Sequence, residues 1–342
     1  MTWELNDVEI IPTWDWTPDE WQTNRQAQIE FGGSDAGTIM GVNKYKSPFT
    51  LFMEKTGQVQ PEEAGDAADW GHLLEEPVAH KYAKDQHAAV VKWSVILKSK
   101  DFPFTAANVD FWIVEESEQF PAGRVTEWRS VEPPPGIIAI FEGKTTGVVS
   151  PGNPGGWEDG NVPASYKYQG LHYMIVSGVH DIDFVCLVGG RGVEIRYMQW
   201  DQIEADALIL AETLFFAQMT GDLEPDVDSN RSTEATLKAL YPRSNPDAVV
   251  EGGEELQALV DDYTVAKAQL EAQKDETDGI KNRIIKLLGA AEAGTVGGET
   301  VVTYRSSKDG EAFDADSFKK DHPDLFAAYK KPKPGYRTLR LK

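Results

Sequence analysis

The sequence predicts an α/β protein: a mixed central sheet with helices on its faces, followed by a helical C-terminal extension. Three observations carry that expectation. Helix-type and strand-type segments follow one another between residues 28 and 221 in the order helices, strands, helix, strands, helix, which builds a sheet covered by helices. The 41% hydrophobic content over 342 residues is enough for a packed core. Beyond Pro225 the pattern changes to polar stretches and then a heptad repeat, which marks an extension of different construction. The expected division is an acidic, aromatic lead-in over 1–24, a core over 25–225 and an extension over 226–342.

The elements follow in order. From about Gln28 the pattern is helical, through SDAGTIMG and SPFTLFMEKTG, with Ser34 and Ser47 as N-caps and Gly57 as a stop. A second helix is expected over 70–86, with Leu73, Leu74, Val78 and Tyr82 near one face. Three strand-type runs come next: AVVKWSVIL, FTAANVDFWIV and GIIAIFEGK. The 22-residue interval from Glu115 to Gly136, ending in PPPG, reads as a surface loop. A helix starts after Pro163 and stops at Gly178. Two strands (DIDFVCLVG and VEIRYMQW) and an acidic helix (DQIEADALILAETLFFAQMTG) complete the block.

In the extension, DVDSNRSTEATLKALYPRSNPD is polar and reads as peripheral. Apolar residues then recur at heptad positions, at Leu256, Leu259, Tyr263, Ala266, Leu270, Thr277, Ile280, Ile284 and Leu287. This spacing predicts a long helix or a helical hairpin, with Gly279 as a weak point. A small β element, ETVVTYRSS, a helical DADSFKKDHPDLFAAYKK and a basic tail follow. From Lys330 to Lys342 there are six basic residues and no acids.

Composition narrows the class. No run approaches the ~18–20 apolar residues that span a bilayer. The first twenty residues hold six acids and no Lys or Arg, unlike a secretory signal or transit peptide. The lone cysteine, Cys186, excludes a disulfide framework and a Cys-rich zinc site. These features predict a soluble, cytoplasmic protein. The net charge of −23 is opposite to that of a general nucleic-acid binder. Any DNA contact must then lie in a local groove.

The chemistry-bearing residues begin with Asp110, in an otherwise apolar run where a carboxylate needs a partner or a metal. Thirty-two residues on, Glu142 and Lys144 end another apolar run and share one face of an extended strand. Two carboxylates and an ammonium are what a metal-dependent phosphodiesterase requires. The acids hold Mg²⁺ at the phosphate, and the lysine orients or activates water. Gly143 lets the backbone approach closely, and its carbonyl is a further oxygen ligand of the kind Mg²⁺ prefers. Glu75 and its neighbour Glu76 are equally suited to add a helix carboxylate. Tyr166 and Gln169 share a helix face and form a polar pair near the lysine. FGGSDAG, with Ser34, can seat a phosphate at a helix start, and Arg25 can add charge-assisted contacts. His72, His80 and His87 show no ligand spacing and read as surface or packing residues.

These segments (GGSDAGTIMGVNKYKSPFTLFMEKTG, WGHLLEEPVAHKY, NVDFWIV, FEGKTT and YKYQGLHYMIVSG) occur in the order and rough spacing of the YqaJ-like viral recombinases. The chain resembles this family, relatives of the phage lambda exonuclease within the PD-(D/E)XK nuclease superfamily, over about residues 21–220. The resemblance implies a PD-(D/E)XK, restriction-endonuclease-like core. It also implies a Mg²⁺-dependent exonuclease, with Mn²⁺ as a substitute, that digests one strand of linear duplex DNA from the 5′ end. It makes Asp110 and Glu142 metal ligands, Glu75 the helix carboxylate that completes the site, and Lys144 the partner of the attacking water. Tyr166 and Gln169 become the supporting pair, and Arg25 and Ser34 fall where a 5′-phosphate is held. Relatives often form DNA-threaded homotrimers and work with a phage single-strand annealing protein in the bacterial cytoplasm. Two departures stand out: the Asp110–Glu142 separation is long, and no Lys or Arg lies between Thr145 and Tyr166. Two competing expectations are a non-catalytic acidic binding or DNA-mimic protein on a nuclease-like fold, and a structure-specific endonuclease.

Overall fold

Glu142 lies on a strand of one mixed sheet, and Asp110 immediately precedes the neighbouring strand. The computed structural model describes residues 1–27, 30–62, 65–147, 157, 161–332 and 335–341, which fall into two units, Met1–Tyr241 and Pro242–Lys342. The first unit contains, in order, β1 (Val8–Pro12), α1 (Pro18–Ala27), α2 (Gly33–Ile39), α3 (Pro48–Lys55), α4 (Asp66–Gln86), β2 (Ala89–Lys92), β3 (Val95–Ser99), β4 (Ala106–Ala107) and β5 (Phe111–Val114). It continues with β6 (Arg124–Glu127), β7 (Ile137–Thr146), α5 (Ala164–Ser177), β8 (Asp181–Val188), β9 (Gly192–Gln199), α6 (Gln202–Thr220) and α7 (Arg231–Leu240). The sheet order is β6-β2-β5-β7-β8-β9. The β6–β2 and β7–β8 pairs are parallel and the other three antiparallel. A smaller sheet, β1-β3-β4, lies in the same unit.

Helices cover the two faces of the large sheet. On one face, Val78, Ala79 and Tyr82 of α4 pack with Phe111, Ala139, Phe141 and Val185. Tyr82 also donates a hydrogen bond to the buried Asp183 on that face. On the other, Leu171 and Met174 of α5 pack with Trp112, Ile140, Ile182, Phe184 and Cys186. Each such fully buried large side chain contributes about 1.5–3 kcal/mol. The alternation of β7 thereby sends Ala139, Phe141 and Gly143 toward α4, and Ile140, Glu142 and Lys144 toward α5.

Several expectations hold and others change. Ser47 caps α3, its hydroxyl accepting from the Thr50 N–H at 3.0 Å, and Gly178 ends α5 at φ 80°. Ser34 is not a cap. It sits inside the first turn of α2, whose N-cap is Gly32, and the Asp35 carboxylate accepts from the Gly32 N–H at 3.1 Å. The start of helical pattern at Gln28 lies outside the described residues. AVVKWSVIL is two strands in two sheets, because the chain turns at Trp93 and Ser94. FTAANVDFWIV likewise splits, and Asp110 falls in the gap just before β5. The 115–136 interval is not all loop: β6 pairs with β2 along the sheet's edge. Nor is the segment after Pro225 purely peripheral. On α7, Thr236 meets Thr50 at 2.9 Å and Thr233 donates to Ser47 at 2.7 Å.

Gly33 and Gly37, one turn apart on α2, let that helix lie directly on α5. A Cβ at Gly33 would stand 2.4 Å from Tyr173 Cε1, and one at Gly37 2.8 Å from the Ser165 backbone. Backbone cannot rotate away as a side chain can. Gly37→Ala is therefore expected to destabilise the protein by about 1–3 kcal/mol, despite alanine's better helix propensity. Thermal unfolding checks this, and an unchanged or raised Tm would contradict the tight packing of α2 on α5.

In the second unit, α8 (Gly253–Leu288) is one helix of 36 residues that runs through Gly279 without a break, so the hairpin alternative does not hold. It is followed by the antiparallel hairpin of β10 (Ala293–Val296) and β11 (Glu299–Thr303), then α9 (Ala315–Asp321) and α10 (Pro323–Ala328). Among the described residues no helix is long and apolar enough to cross a membrane.

Candidate active site

Asp110 reaches β7 through the backbone: the Gly143 N–H donates to its Oδ2 at 3.0 Å. The last β5–β7 ladder pair is Phe111–Phe141, so Gly143 lies just beyond the ladder and its N–H is free for the carboxylate. Glu142 is 1% exposed. Its Oε1 accepts from Lys144 Nζ at 2.5 Å and from Gln169 Nε2 at 2.7 Å. Its Oε2 is buried and makes no hydrogen bond among the described residues, and the Asp110 carboxyl lies close to the Glu142 side chain.

One face of α5 supplies the opposite wall. Gln169 donates to Glu142 and also to the Tyr173 hydroxyl at 2.9 Å. Tyr166 places its ring 4.8 Å from Lys144 Nζ, within range of a cation–π contact. Residues 166, 169 and 173 recur at helical spacing and therefore converge. Tyr173 was missed from sequence, although its i+7 relation to Tyr166 was available as a signal.

Glu75 approaches from the α4 side. Its Cγ would stand 3.6 Å from a Cβ at Gly143, as would Asp110 Oδ2, so the glycine seats both acids closely. Its carboxylate meets His72 Nδ1 at 2.9 Å; His72 is exposed, as expected of a surface residue, and makes this contact from there. Glu76 instead pairs with Lys92 at 3.0 Å, which leaves Glu75 as the helix acid of the site. Ser34, on the first turn of α2, lines the same cleft, as do Trp16, Trp21 and Asn108. Arg25 lies on α1, and its side chain is outside the described residues. The cleft encloses about 370 Å³.

The electrostatics are those of crowded acids beside Lys144. Burial, then the nearby Glu142 and Glu75 charges, push the Asp110 carboxyl well above the usual carboxylate range. Burial raises Glu142 too, against the pull of Lys144. For Lys144, burial favours the neutral amine, yet Glu142 and Asp110 outweigh it and hold the ammonium above its ordinary value. Burial and the same two acids keep the Tyr173 phenol protonated. Among the described residues no three His, Cys, Asp or Glu side chains gather closely enough to cage a metal by themselves.

A mixed sheet flanked by helices, with Asp110 beside a Glu142-x-Lys144 strand end, defines an α/β protein with paired acids and a lysine at one sheet end. The model of the YqaJ-like viral recombinase domain matches residues 20–180. The Bacillus subtilis (strain 168) protein YqaJ, itself uncharacterised, is 30% identical over 322 residues, 92% of this chain and 91% of that one. The chain belongs to the YqaJ-like viral recombinase family. Among solved structures it is similar to an alkaline exonuclease from Laribacter hongkongensis, with a TM-score of 0.44, 16% identity and coverage of 60% of this chain and 94% of that one. It is also similar to a phage-related exonuclease from Haemophilus somnus 129PT, with a TM-score of 0.37, 12% identity and coverage of 59% and 99%.

Proposed function

We propose that the chain is a Mg²⁺-dependent deoxyribonuclease that degrades linear duplex DNA from its ends in the 5′-to-3′ direction, with catalysis in the core over 25–225. The observation that carries the reading is the buried Glu142 Oε2, without a hydrogen bond among the described residues and close to Asp110, with a lysine on the same strand face. A divalent cation is the group these crowded acids fit: it relieves their repulsion and satisfies the orphan oxygen. Asp110, Glu142 and the Gly143 carbonyl would hold it, with Glu75 completing the set. Bound there, Mg²⁺, or Mn²⁺ in its place, supplies a Lewis acid that polarises the phosphodiester and acidifies water.

The protein's own groups do the rest. Lys144 stays an ammonium and so donates, to the attacking water or to the phosphoryl oxygens as charge builds on them. Gln169 fixes the Glu142 carboxylate by its Oε1, and the Tyr166 ring limits where Lys144 can move. Ser34, at the start of α2 on the cleft wall, and Arg25 on α1 are assigned to the 5′-phosphate. Membership of a viral recombinase family supports a role in exposing single strands for a phage annealing protein. The acidic remainder of the surface discourages adhesion elsewhere on DNA.

The test is digestion of a linear duplex labelled at one 5′ end, with and without a 5′-phosphate, in Mg²⁺ or EDTA, beside a closed circle. Early release of label in Mg²⁺ alone, with the circle intact, is the expected result. Cleavage of the circle would make the enzyme an endonuclease. No degradation by folded protein would favour the acidic binding role.

A further inference from the structure

We infer that α8 is a self-association element: it pairs in parallel with α8 of a second copy of this chain through its heptad seam. The inference does not depend on the nuclease reading. Thirty-six residues at 1.5 Å each make a helix about 54 Å long, and none of its residues is buried. The large apolar seam positions, Leu256, Leu259, Tyr263, Leu270, Ile280 and Ile284, are all at least 39% exposed. Helices draw most of their stability from packing an apolar face, and among the described residues of its own unit no other helix buries that face. The 3-4 spacing from Leu256 to Leu287 covers more than four heptads, long enough for a coiled coil.

The flanking charges select both the occupant and the direction. Counting Leu256 as position a, the g positions include Asp262 and Glu276, and the e positions include Lys267, Lys274 and Lys281. In a parallel pair each g residue faces the e residue five further along the other copy. Asp262 then meets Lys267, and Glu276 meets Lys281. An antiparallel pair with the same seam would set Asp262 against Glu276, Lys267 against Lys281 and Lys274 against itself, all like charges. None of Asp262, Glu276, Lys267 or Lys281 makes an ion pair within its own chain among the described residues. Gln273 and Thr277 put polar groups in the middle of the seam, a device that fixes register. Gly279 falls at position c, outside it.

The full chain carrying Leu270→Cys tests this, since Cys186 is buried and gives little background. In a parallel seam residue 270 meets residue 270 of the second copy, so mild oxidation should give a covalent dimer. Ala268→Cys, on the outer face, should give little. Adding Asp262→Lys with Glu276→Lys should suppress the Leu270→Cys cross-link severalfold, as should adding Lys267→Glu with Lys281→Glu, whereas mixing the two proteins should restore it. Far-UV circular dichroism keeps the variants comparable. Folded Leu270→Cys protein that does not cross-link, or charge variants that change nothing, would overturn the inference even if the chain formed a ring through its core.

Discussion

Lys144→Ala is expected to reduce cleavage of linear duplex DNA by at least about 10³-fold, within the range lost when a preorganised charge-stabilising group is removed. Glu142→Gln should do the same, because it removes the cleft carboxylate whose second oxygen is buried without a hydrogen-bond partner among the described residues. Gln169→Leu should cost less, about 10–100-fold, since Gln169 acts by holding Glu142 in place and would not touch the phosphate. The check is single-turnover digestion beside a melting curve for each variant. Near-normal cleavage by a folded Lys144→Ala protein would remove the site assignment altogether. Lys144→Arg separates charge from geometry. It keeps the cation but replaces a compact ammonium with a planar fork, so recovery of most activity would mean that charge alone suffices.

The largest stability effect is expected at a pair away from the cleft. His172, buried on α5, sits between two acceptors: Glu212 Oε1 is 2.7 Å from Nδ1 and the Ala106 carbonyl is 3.0 Å from Nε2. With the Glu212 carboxylate ionised, both ring nitrogens donate and the ring is an imidazolium. Burial opposes that charge, but Glu212 and the Ala106 carbonyl outweigh it and raise its pKa. Removing one partner of such a buried pair costs about 3–5 kcal/mol. Glu212→Ala and His172→Ala should therefore lower the Tm sharply. The sign of the pH dependence follows from the raised value. The His172 contribution is complete below the unfolded pKa of about 6.5 and disappears as pH rises through the higher folded value. The Tm gap between the wild type and Glu212→Gln should be widest near pH 6 and narrow in alkaline buffer. A gap independent of pH would mean that the ring is neutral in the fold.

How much of this was legible in the sequence depended on which physical signal carried each part. The helix of Tyr166 and Gln169 was plain, because Pro163 and Gly178 punctuate it and its apolar face is continuous. Glu142 and Lys144 could be placed together because strand side chains alternate. The break at Trp93 and Ser94 was invisible, since a change of sheet leaves an apolar run apolar. β6 was hidden because RVTE is short and only partly covered, with no alternation to read. The docking of α7 runs through hydroxyls, Thr50 to Thr236 and Thr233 to Ser47, which hydrophobic patterning cannot detect. The His72–Glu75 contact was overlooked because the histidines were judged as metal ligands and not as partners of an acid three residues away.

The two outermost strands of the large sheet, β6 and β9, bear on how copies of the chain can meet. A bare strand edge is a template for pairing with another chain, and charged side chains along it oppose such pairing. Exposed Arg124 and Glu127 sit on one rim, and exposed Glu194 beside Arg196 on the other. Each rim therefore resists being extended by a strand from a neighbour. Aggregation through the large sheet is disfavoured at both of its ends.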